Sequence, residues 1–269
     1  MNWIDRLKNV FGSTSGKLPN FLCIGAQRAG TSWLHEILRR HPDIFLSATK
    51  ELHFFDEKRD FSTYTGIGHI GERFLYDMNS LSHWRWYVRQ FRKSGGRKII
   101  GEITPYYSTL SDQRIAYIAE KLPDVKIVYI LRNPVQRAWS AFRRTWFLET
   151  GHTNDDFDTN VALKTIMYPA KLIHGDYIRN TGVYEKIFGK DQILYLFYDD
   201  IVRKPSGVLH QVFSFLGVAI PQIPADDVYK KINSAPGHVI PGPVEKVLSD
   251  YYADQISFLK KRFDRELEY

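Results

Sequence analysis

The segment that most constrains this chain is residues 20–33, where the sequence indicates a buried strand, a glycine-bounded turn and the start of a helix. The apolar run 21–24 forms the strand, and the turn lies between Gly25 and Gly30. Glycines let the backbone approach an anion, and the first N–H groups of a helix point at it with the positive end of the helix dipole. The segment therefore predicts a phosphate-binding junction between a strand and a helix.

The two glycines have the spacing of a nucleoside-triphosphate P-loop, but the residues that follow differ from one. A P-loop has Lys directly after the second glycine and then a Ser or Thr on Mg²⁺, whereas here Thr31 and Ser32 follow Gly30. A second apolar run, residues 125–131, ends in Arg132 where a kinase has a metal-binding carboxylate. A guanidinium binds phosphate directly and bidentately. We therefore expect an anionic ligand that is held without a metal.

These segments resemble the two phosphate-binding motifs of sulfotransferases that use 3′-phosphoadenosine 5′-phosphosulfate (PAPS), and the resemblance covers most of the chain. It implies that Arg132, with Ser140 eight residues later, holds the 3′-phosphate. Many family members have a Lys at the position of Arg28, which assists the leaving oxygen, and an Arg keeps that charge. The resemblance places the 5′-phosphosulfate on the first loop, at Gln27, Arg28, Ala29, Gly30, Thr31 and Ser32.

A third segment, residues 50–56, resembles the catalytic segment of heparan sulfate-type and many bacterial sulfotransferases. Sulfuryl transfer requires a group that takes the proton of the in-line nucleophile. If the segment is extended, the two-residue spacing of Glu51 and His53 places both side chains on one face. The resemblance implies that Glu51 is the base, with His53 as the alternative. When Glu51 is the base, His53 and Asp56 hydrogen-bond to the acceptor or hold Glu51 in position.

Three further segments match the family less specifically. Glu102 lies in an element, residues 101–107, that borders the acceptor pocket in the family, where it contacts the acceptor or orients a neighbour. Tyr198 lies at the position where cytosolic family members have a tyrosine that contacts the adenine. The alternative is that Tyr198 is an aromatic side chain at a strand end and packs on the core. Residues 230–238 have the composition of the loop that closes over the cofactor.

The order of the predicted elements indicates an α/β fold, a central parallel sheet flanked by helices. Strands are expected near residues 21–25, 98–102, 125–131 and 193–197, and helices near 31–41, 111–121, 134–148, 205–216 and 243–264. Both phosphate motifs follow strands, at the sheet edge where such folds bind ligands. We find no Ser-, Gly- or Pro-rich linker, so we expect one sulfotransferase domain over residues 1–269, with residues 1–18 as an N-terminal extension or short helix.

Composition bears on metals and on location. The nine histidines show no zinc-like spacing, so no metal cofactor is expected. We find neither an apolar run of membrane-spanning length nor a signal peptide's apolar core at the N-terminus. The single Cys23 lies in the first predicted strand, where a buried, unreactive thiol is expected. The sequence therefore predicts a cytoplasmic protein without an integral membrane segment.

A net charge of +7 suits an anionic cofactor but does not identify it. Basic, aromatic-rich stretches at 84–93 and 143–146 favour a nucleic-acid-binding protein as one rival, although the first stretch has the spacing of an amphipathic helix. A P-loop-like small-molecule kinase is the other rival. We favour a sulfotransferase without a nucleic-acid partner.

The predicted reaction moves a sulfuryl group from PAPS to an acceptor hydroxyl, or as the less favoured case an amine, and releases adenosine 3′,5′-bisphosphate. A saccharide, a lipid or polyketide alcohol and a small phenol all fit as acceptors. Acceptor choice is expected to lie in loops such as residues 56–80 and 149–175.

Overall fold

The chain folds around a parallel sheet of five strands in the order β2-β3-β1-β4-β5, in a computed structural model that describes residues 17–56, 77–151, 157–229 and 239–268. The strands are β1 (Phe21–Gly25), β2 (Ile44–Leu46), β3 (Ile99–Ile103), β4 (Lys126–Leu131) and β5 (Ile193–Phe197). The central β1 pairs with β3 on one side and β4 on the other. Every residue of β1 and β3 is buried, as expected for a sheet with helices on both faces. The predicted single-domain α/β fold is confirmed.

Helices connect the strands and cover the sheet. They are α1 (Thr31–Leu38), α2 (Leu81–Arg89), α3 (Asp112–Lys121), α4 (Pro134–Thr150), α5 (Thr159–Ile166), α6 (Pro169–Leu172), α7 (Tyr177–Phe188), α8 (Tyr198–Arg203), α9 (Pro205–Leu216), α10 (Ala225–Val228), α11 (Gly242–Tyr251) and α12 (Ala253–Phe263). Short 3₁₀ turns lie at Pro105–Thr109, Ile173–Gly175 and Lys190–Gln192. None of the helices within the described ranges is both long and apolar enough to span a bilayer.

The sequence predicted the central elements well. The four expected strands are confirmed to within one residue at each end. The helix expected within residues 84–93 is α2, which buries Trp84, Tyr87 and Val88. No sequence pattern indicates β2, because a three-residue strand is too short to show a periodic pattern. Cys23 is fully buried as expected, and burial raises the pKa of its thiol to about 12.

Two expectations about the C-terminal half were wrong. The helix expected over 243–264 is two helices that meet at Tyr252, whose buried hydroxyl donates to the carbonyl of Leu172 at 2.9 Å. The segment 149–175, expected as a loop, contains α5 and α6. The missed signal for α5 is its N-cap Asp158, whose carboxylate accepts from the backbone N–H of Asn160 at 2.7 Å. The predictions for residues 1–16, 57–76 and 230–238 lie outside the described residues.

A second apolar cluster fixes the helix that follows β4. α4 begins at Pro134, directly after Asn133, whose side chain accepts from the N–H of Val135 at 2.9 Å. One face of α4 packs between α5 and α11, through side chains that include Trp139, Phe142, Ile166 and Leu248. This packing holds the first turns of α4 at the carboxyl end of β4, where ligands bind in parallel α/β sheets.

Candidate active site at the carboxyl ends of the strands

The loop between β1 and α1 presents a helix N-terminus that no described side chain caps. Gly30 is the N-cap residue, and the first turn of α1 contains no acidic residue. α4, by contrast, has the Asn133 cap. The free N–H groups of the first turn are therefore available to an anion. Gly30 is suited to this position because its φ is 93°, and a Cβ there would lie 3.1 Å from Cδ1 of Ile201.

Arg28 lies inside this loop and joins it to α4. Its Nε donates to Oγ of Ser140 at 3.1 Å. Burial lowers the pKa of Arg28 to about 10, with further contributions from the charges of Arg132 and Arg144. Partly buried like charges disfavour one another, so an anion between them is stabilised. The loop therefore has the charge expected of a site for a phosphorylated ligand.

Arg132 follows β4 and contacts the same loop from the other side. Its Nη1 donates to the carbonyl oxygen of Arg28 at 2.7 Å, and its guanidinium carbon lies 4.1 Å from the centre of the Tyr198 ring. Burial lowers the pKa of Arg132 as well. The stacking holds the guanidinium plane in one orientation.

The structure brings the predicted phosphate-binding residues together. Arg28, Arg132, Ser140 and Tyr198 are linked by direct contacts, although their positions in the sequence are far apart. The remaining residues form the loop and the first turn of α1 beside them, and these are Gln27, Ala29, Gly30, Thr31 and Ser32. The role of each toward a cofactor stays a prediction. Within the described ranges, no group of three or more His, Cys, Asp and Glu side chains is placed to hold a metal.

The segment at residues 50–56 is not extended, which corrects the geometry expected from its spacing. Glu51 and His53 have φ values of 63° and 54°, in the left-handed region that non-glycine residues rarely adopt. The backbone N–H of Glu51 donates to the carbonyl of Ile103 at 3.1 Å, which fixes the segment beside the end of β3. The two side chains still meet, because Nε2 of His53 lies 3.5 Å from Oε2 of Glu51.

The imidazole of His53 lies between two carboxylates. Its Nδ1 is 2.8 Å from Oδ2 of Asp56, and its Nε2 faces Glu51, which also pairs with Lys50. Burial raises the pKa of Glu51, but the hydrogen bond with His53 and the charge of Lys50 outweigh it and lower this pKa to about 2. Glu51 is therefore ionised at neutral pH. Its charge also acts on Arg28, so this group adjoins the phosphate loop.

Glu102 is fully buried, with 0% of its surface exposed. Its carboxylate accepts hydrogen bonds from the hydroxyls of Tyr87 at 2.6 Å, Thr104 at 2.7 Å and Tyr107 at 3.1 Å. Burial raises the pKa of Glu102 despite these donors. The structure therefore favours orientation of neighbours over acceptor contact for this residue. Asp56 is 7% exposed and bonded to His53, so the structure also favours orientation of a neighbour over acceptor contact for Asp56.

Sequence reasoning missed two aromatic residues near the imidazole. The Tyr106 ring lies edge-on to His53 with ring centres 5.6 Å apart, and edge-on to His174 at 4.7 Å. Tyr106 belongs to the element at residues 101–107 that had already been singled out. His174 comes from a segment with no recognisable motif, so only the fold brings it here.

The hydroxyl donors around Glu102 lead to a stability prediction. We expect Glu102→Gln to lower the free energy of unfolding by about 2 kcal/mol, because an amide NH₂ would then face hydroxyl donors in the core. Chemical denaturation measures the change. Glu120→Gln, whose side chain on α3 is 65% exposed, is the control and should shift stability by less than about 0.5 kcal/mol. Equal stabilities of the two variants would contradict this description of Glu102.

The sequence is similar to known proteins. A family model described as "Sulfotransferase family" matches residues 19–222. Carbohydrate sulfotransferase 15 of Rattus norvegicus is 24% identical over 93% of this chain and 54% of its own length. Heparan sulfate glucosamine 3-O-sulfotransferase 3B1 of Homo sapiens is 27% identical over 77% of this chain and 48% of its own length. The chain thus spans about half the length of these curated relatives.

Solved structures share the fold. A sulfotransferase from Alicyclobacillus acidocaldarius superimposes with a TM-score of 0.69 at 24% identity, covering 93% of this chain and 98% of that one. Mouse sulfotransferase SULT7A1, complexed with PAP, gives a TM-score of 0.54 at 16% identity, covering 95% of this chain and 89% of that one. The family match spans well over half of the sequence. The chain belongs to the sulfotransferase family.

Proposed function

We propose that this protein transfers a sulfuryl group from PAPS to an acceptor hydroxyl, or as the less favoured case an amine, and releases adenosine 3′,5′-bisphosphate. The observation that carries the proposal is the contact between the two phosphate motifs, in which Arg28 bonds to Ser140 and Arg132 bonds to the loop carbonyl of Arg28. Two cations and an uncapped helix N-terminus suit a ligand with two separate anionic groups. Family membership and a neighbour complexed with PAP support the same ligand.

In this proposal each anionic group of the cofactor has its own residues. The N–H groups at Thr31 and Ser32, with the Arg28 side chain, hold the phosphosulfate. Arg132 and Ser140 hold the 3′-phosphate, and Tyr198 borders the nucleoside. PAPS supplies an activated sulfuryl group. Guanidinium groups and the helix dipole provide the positive charge on which the transfer relies, so the proposal includes no metal cofactor.

The proton of the acceptor is removed by the group formed by Glu51, His53 and Asp56. Asp56 fixes the imidazole through Nδ1, and Lys50 and His53 keep Glu51 ionised. Either Glu51 or His53 serves as the base, since the charge of Glu51 acts on Arg28 in the phosphate loop and His53 faces Glu51. The other residue then orients the base and stabilises its charge.

A saccharide is the first acceptor class to test. The curated relatives are named as carbohydrate and heparan sulfate sulfotransferases, which supports this choice. Lipid or polyketide alcohols and small phenols follow in the screen. The cytoplasmic location predicted from the sequence belongs to the proposal too, and fractionation of the native host tests it.

Calorimetric titration of the unchanged protein tests the cofactor class. We expect adenosine 3′,5′-bisphosphate to bind in the presence of EDTA, and ATP with Mg²⁺ to give no comparable heat. An assay for bisphosphate release from PAPS with the acceptor panel then tests transfer. Binding of ATP–Mg²⁺ without binding of the bisphosphate would favour the rival function, a small-molecule kinase. Binding of DNA or RNA with steep salt dependence, and no nucleotide binding, would favour the nucleic-acid rival.

A further inference from the structure

The C-terminal residues 264–268 turn back onto α8. α12 ends at Phe263, and its C-cap residue Asp264 has a left-handed φ of 47° and reverses the chain. Leu267, at 5% exposure, is buried in the main core. The tail is therefore packed against the domain, and this contact places the preceding Arg265 against α8.

Arg265 forms a bidentate ion pair with the first turn of α8. Its Nη1 and Nη2 donate to the two carboxylate oxygens of Asp200 at 2.7 and 3.0 Å, and its guanidinium carbon lies 3.8 Å from the centre of the Phe197 ring. Farther along the tail, the N–H of Glu268 donates to Oδ2 of Asp199 at 3.3 Å. A bidentate pair that is also stacked fixes orientation as well as charge.

The opposite side of α8 contacts the phosphate site. Its first residue, Tyr198, carries the Arg132 guanidinium over its ring at 4.1 Å. A Cβ at Gly30 would lie 3.1 Å from Ile201 and 3.4 Å from Tyr198, so α8 packs directly against the end of the phosphate loop. α8 thus lies between the C-terminal tail and the phosphate-binding residues.

Charge couples the two sides of α8. Burial raises the pKa of Asp199, and the charges of Arg265 and Arg132 oppose that shift. Both arginines therefore interact with the same acidic turn. Without Arg265, the Asp199–Asp200 pair would attract Arg132 more strongly and would compete with a phosphate for it.

We infer that Arg265 is a positioning residue for the cofactor site, because its bidentate contact with Asp200 holds α8 so that Tyr198 keeps Arg132 aimed at the 3′-phosphate. The inference rests on the proposed function. Residue 265 lies outside residues 19–222, which the family model matches.

Arg265→Ala in the full chain tests the inference. We expect the dissociation constant for adenosine 3′,5′-bisphosphate to rise about tenfold. This is the usual effect of removing a residue that orients a ligand-binding side chain without contacting the ligand. In the transfer assay, KM for PAPS should rise while KM for the acceptor stays unchanged. Arg265→Lys, which keeps the charge but loses the bidentate fork, should recover part of the affinity.

Arg262→Ala is the matched control, because it removes a guanidinium from the same helical end. Arg262 pairs with Glu185 on α7 and not with α8. We expect a similar loss of thermal stability and an unchanged dissociation constant. If both variants lose affinity equally, the effect of Arg265 is only structural and the inference is wrong. If Arg265→Ala fails to fold, Asp200→Asn and Arg265→Lys take its place in the same titration.

The two proposals fail in different ways. If the unchanged protein does not bind the bisphosphate, the proposed function is wrong and the inference is overturned with it. If the unchanged protein binds and Arg265→Ala binds equally well, only the inference is overturned.

Discussion

Arg132→Ala should weaken binding of adenosine 3′,5′-bisphosphate by roughly 100-fold or more, because it removes a partly buried, charge-assisted contact with a phosphate. The guanidinium lies between Tyr198 and the carbonyl of Arg28, so its fork is already oriented before a ligand arrives. Truncation also removes the hydrogen bond from Arg132 to the phosphate loop. Calorimetric titration of the variant and the unchanged protein measures the ratio of the dissociation constants.

Two further variants separate specific contact from general charge. Arg132→Lys keeps the charge but cannot stack or bind bidentately, so we expect an intermediate loss. Arg89→Ala removes a positive charge from an exposed position on α2 and should leave the affinity unchanged. If Arg132→Ala and Arg89→Ala have equal effects, binding depends only on net charge, and the assignment of the 3′-phosphate to Arg132 fails.

The second large effect is expected at the catalytic group. Glu51→Gln and His53→Ala should each lower kcat about 10²- to 10⁴-fold, because one residue is the base, whose usual contribution has this size, and the other orients it. Affinity for the bisphosphate should not fall in either variant, since neither removes a positive charge fixed at the phosphate loop. The rate of bisphosphate release with a working acceptor measures kcat. Full activity in both variants would exclude this group as the source of the base.

The pH profile then identifies which residue is the base. The pKa of Glu51 is lowered to about 2, so Glu51 stays ionised at every pH above that value. If Glu51 is the base, kcat/KM should show no acid limb in the neutral range. If His53 is the base, activity should fall on the acid side of the profile, because a protonated imidazole cannot accept the proton of the acceptor. The same lowered pKa predicts a stabilising contribution that is present above pH 4.5 and lost as the pH falls from 4.5 toward about 2.

The sequence predicted those parts of the site that are determined locally. β1 and β4 are mostly apolar strands. The loop that begins at Gly25 follows β1 and Arg132 follows β4, so their positions at one sheet edge could be derived. The left-handed conformations of Glu51 and His53 could not, because no glycine or turn signal marks them. The backbone of Glu51 bonds instead to Ile103 at the end of β3, which lies about fifty residues farther along the chain.

Long-range partners account for the rest of what was missed. The environment of Glu102 depends on Tyr87, which belongs to a separate helix, and on Tyr107. Arg265 bonds to Asp200 of α8, which lies 65 positions earlier in the chain. Such pairs leave no periodic pattern in a single sequence, since each residue alone is compatible with an exposed or an internal position.

The hydrogen bond between Arg28 and Ser140 has a consequence for ligand discrimination. It joins two segments that are 112 residues apart, and so it links the phosphate loop to α4. A site in which two phosphate-binding segments are linked in this way selects nucleotides by the distance between their two anionic groups. Adenosine 5′-phosphosulfate and AMP can satisfy only one end, and they should lose the binding energy of the other end in full. The spacing of the two anionic groups, more than the identity of the base, would then decide which nucleotides this protein accepts.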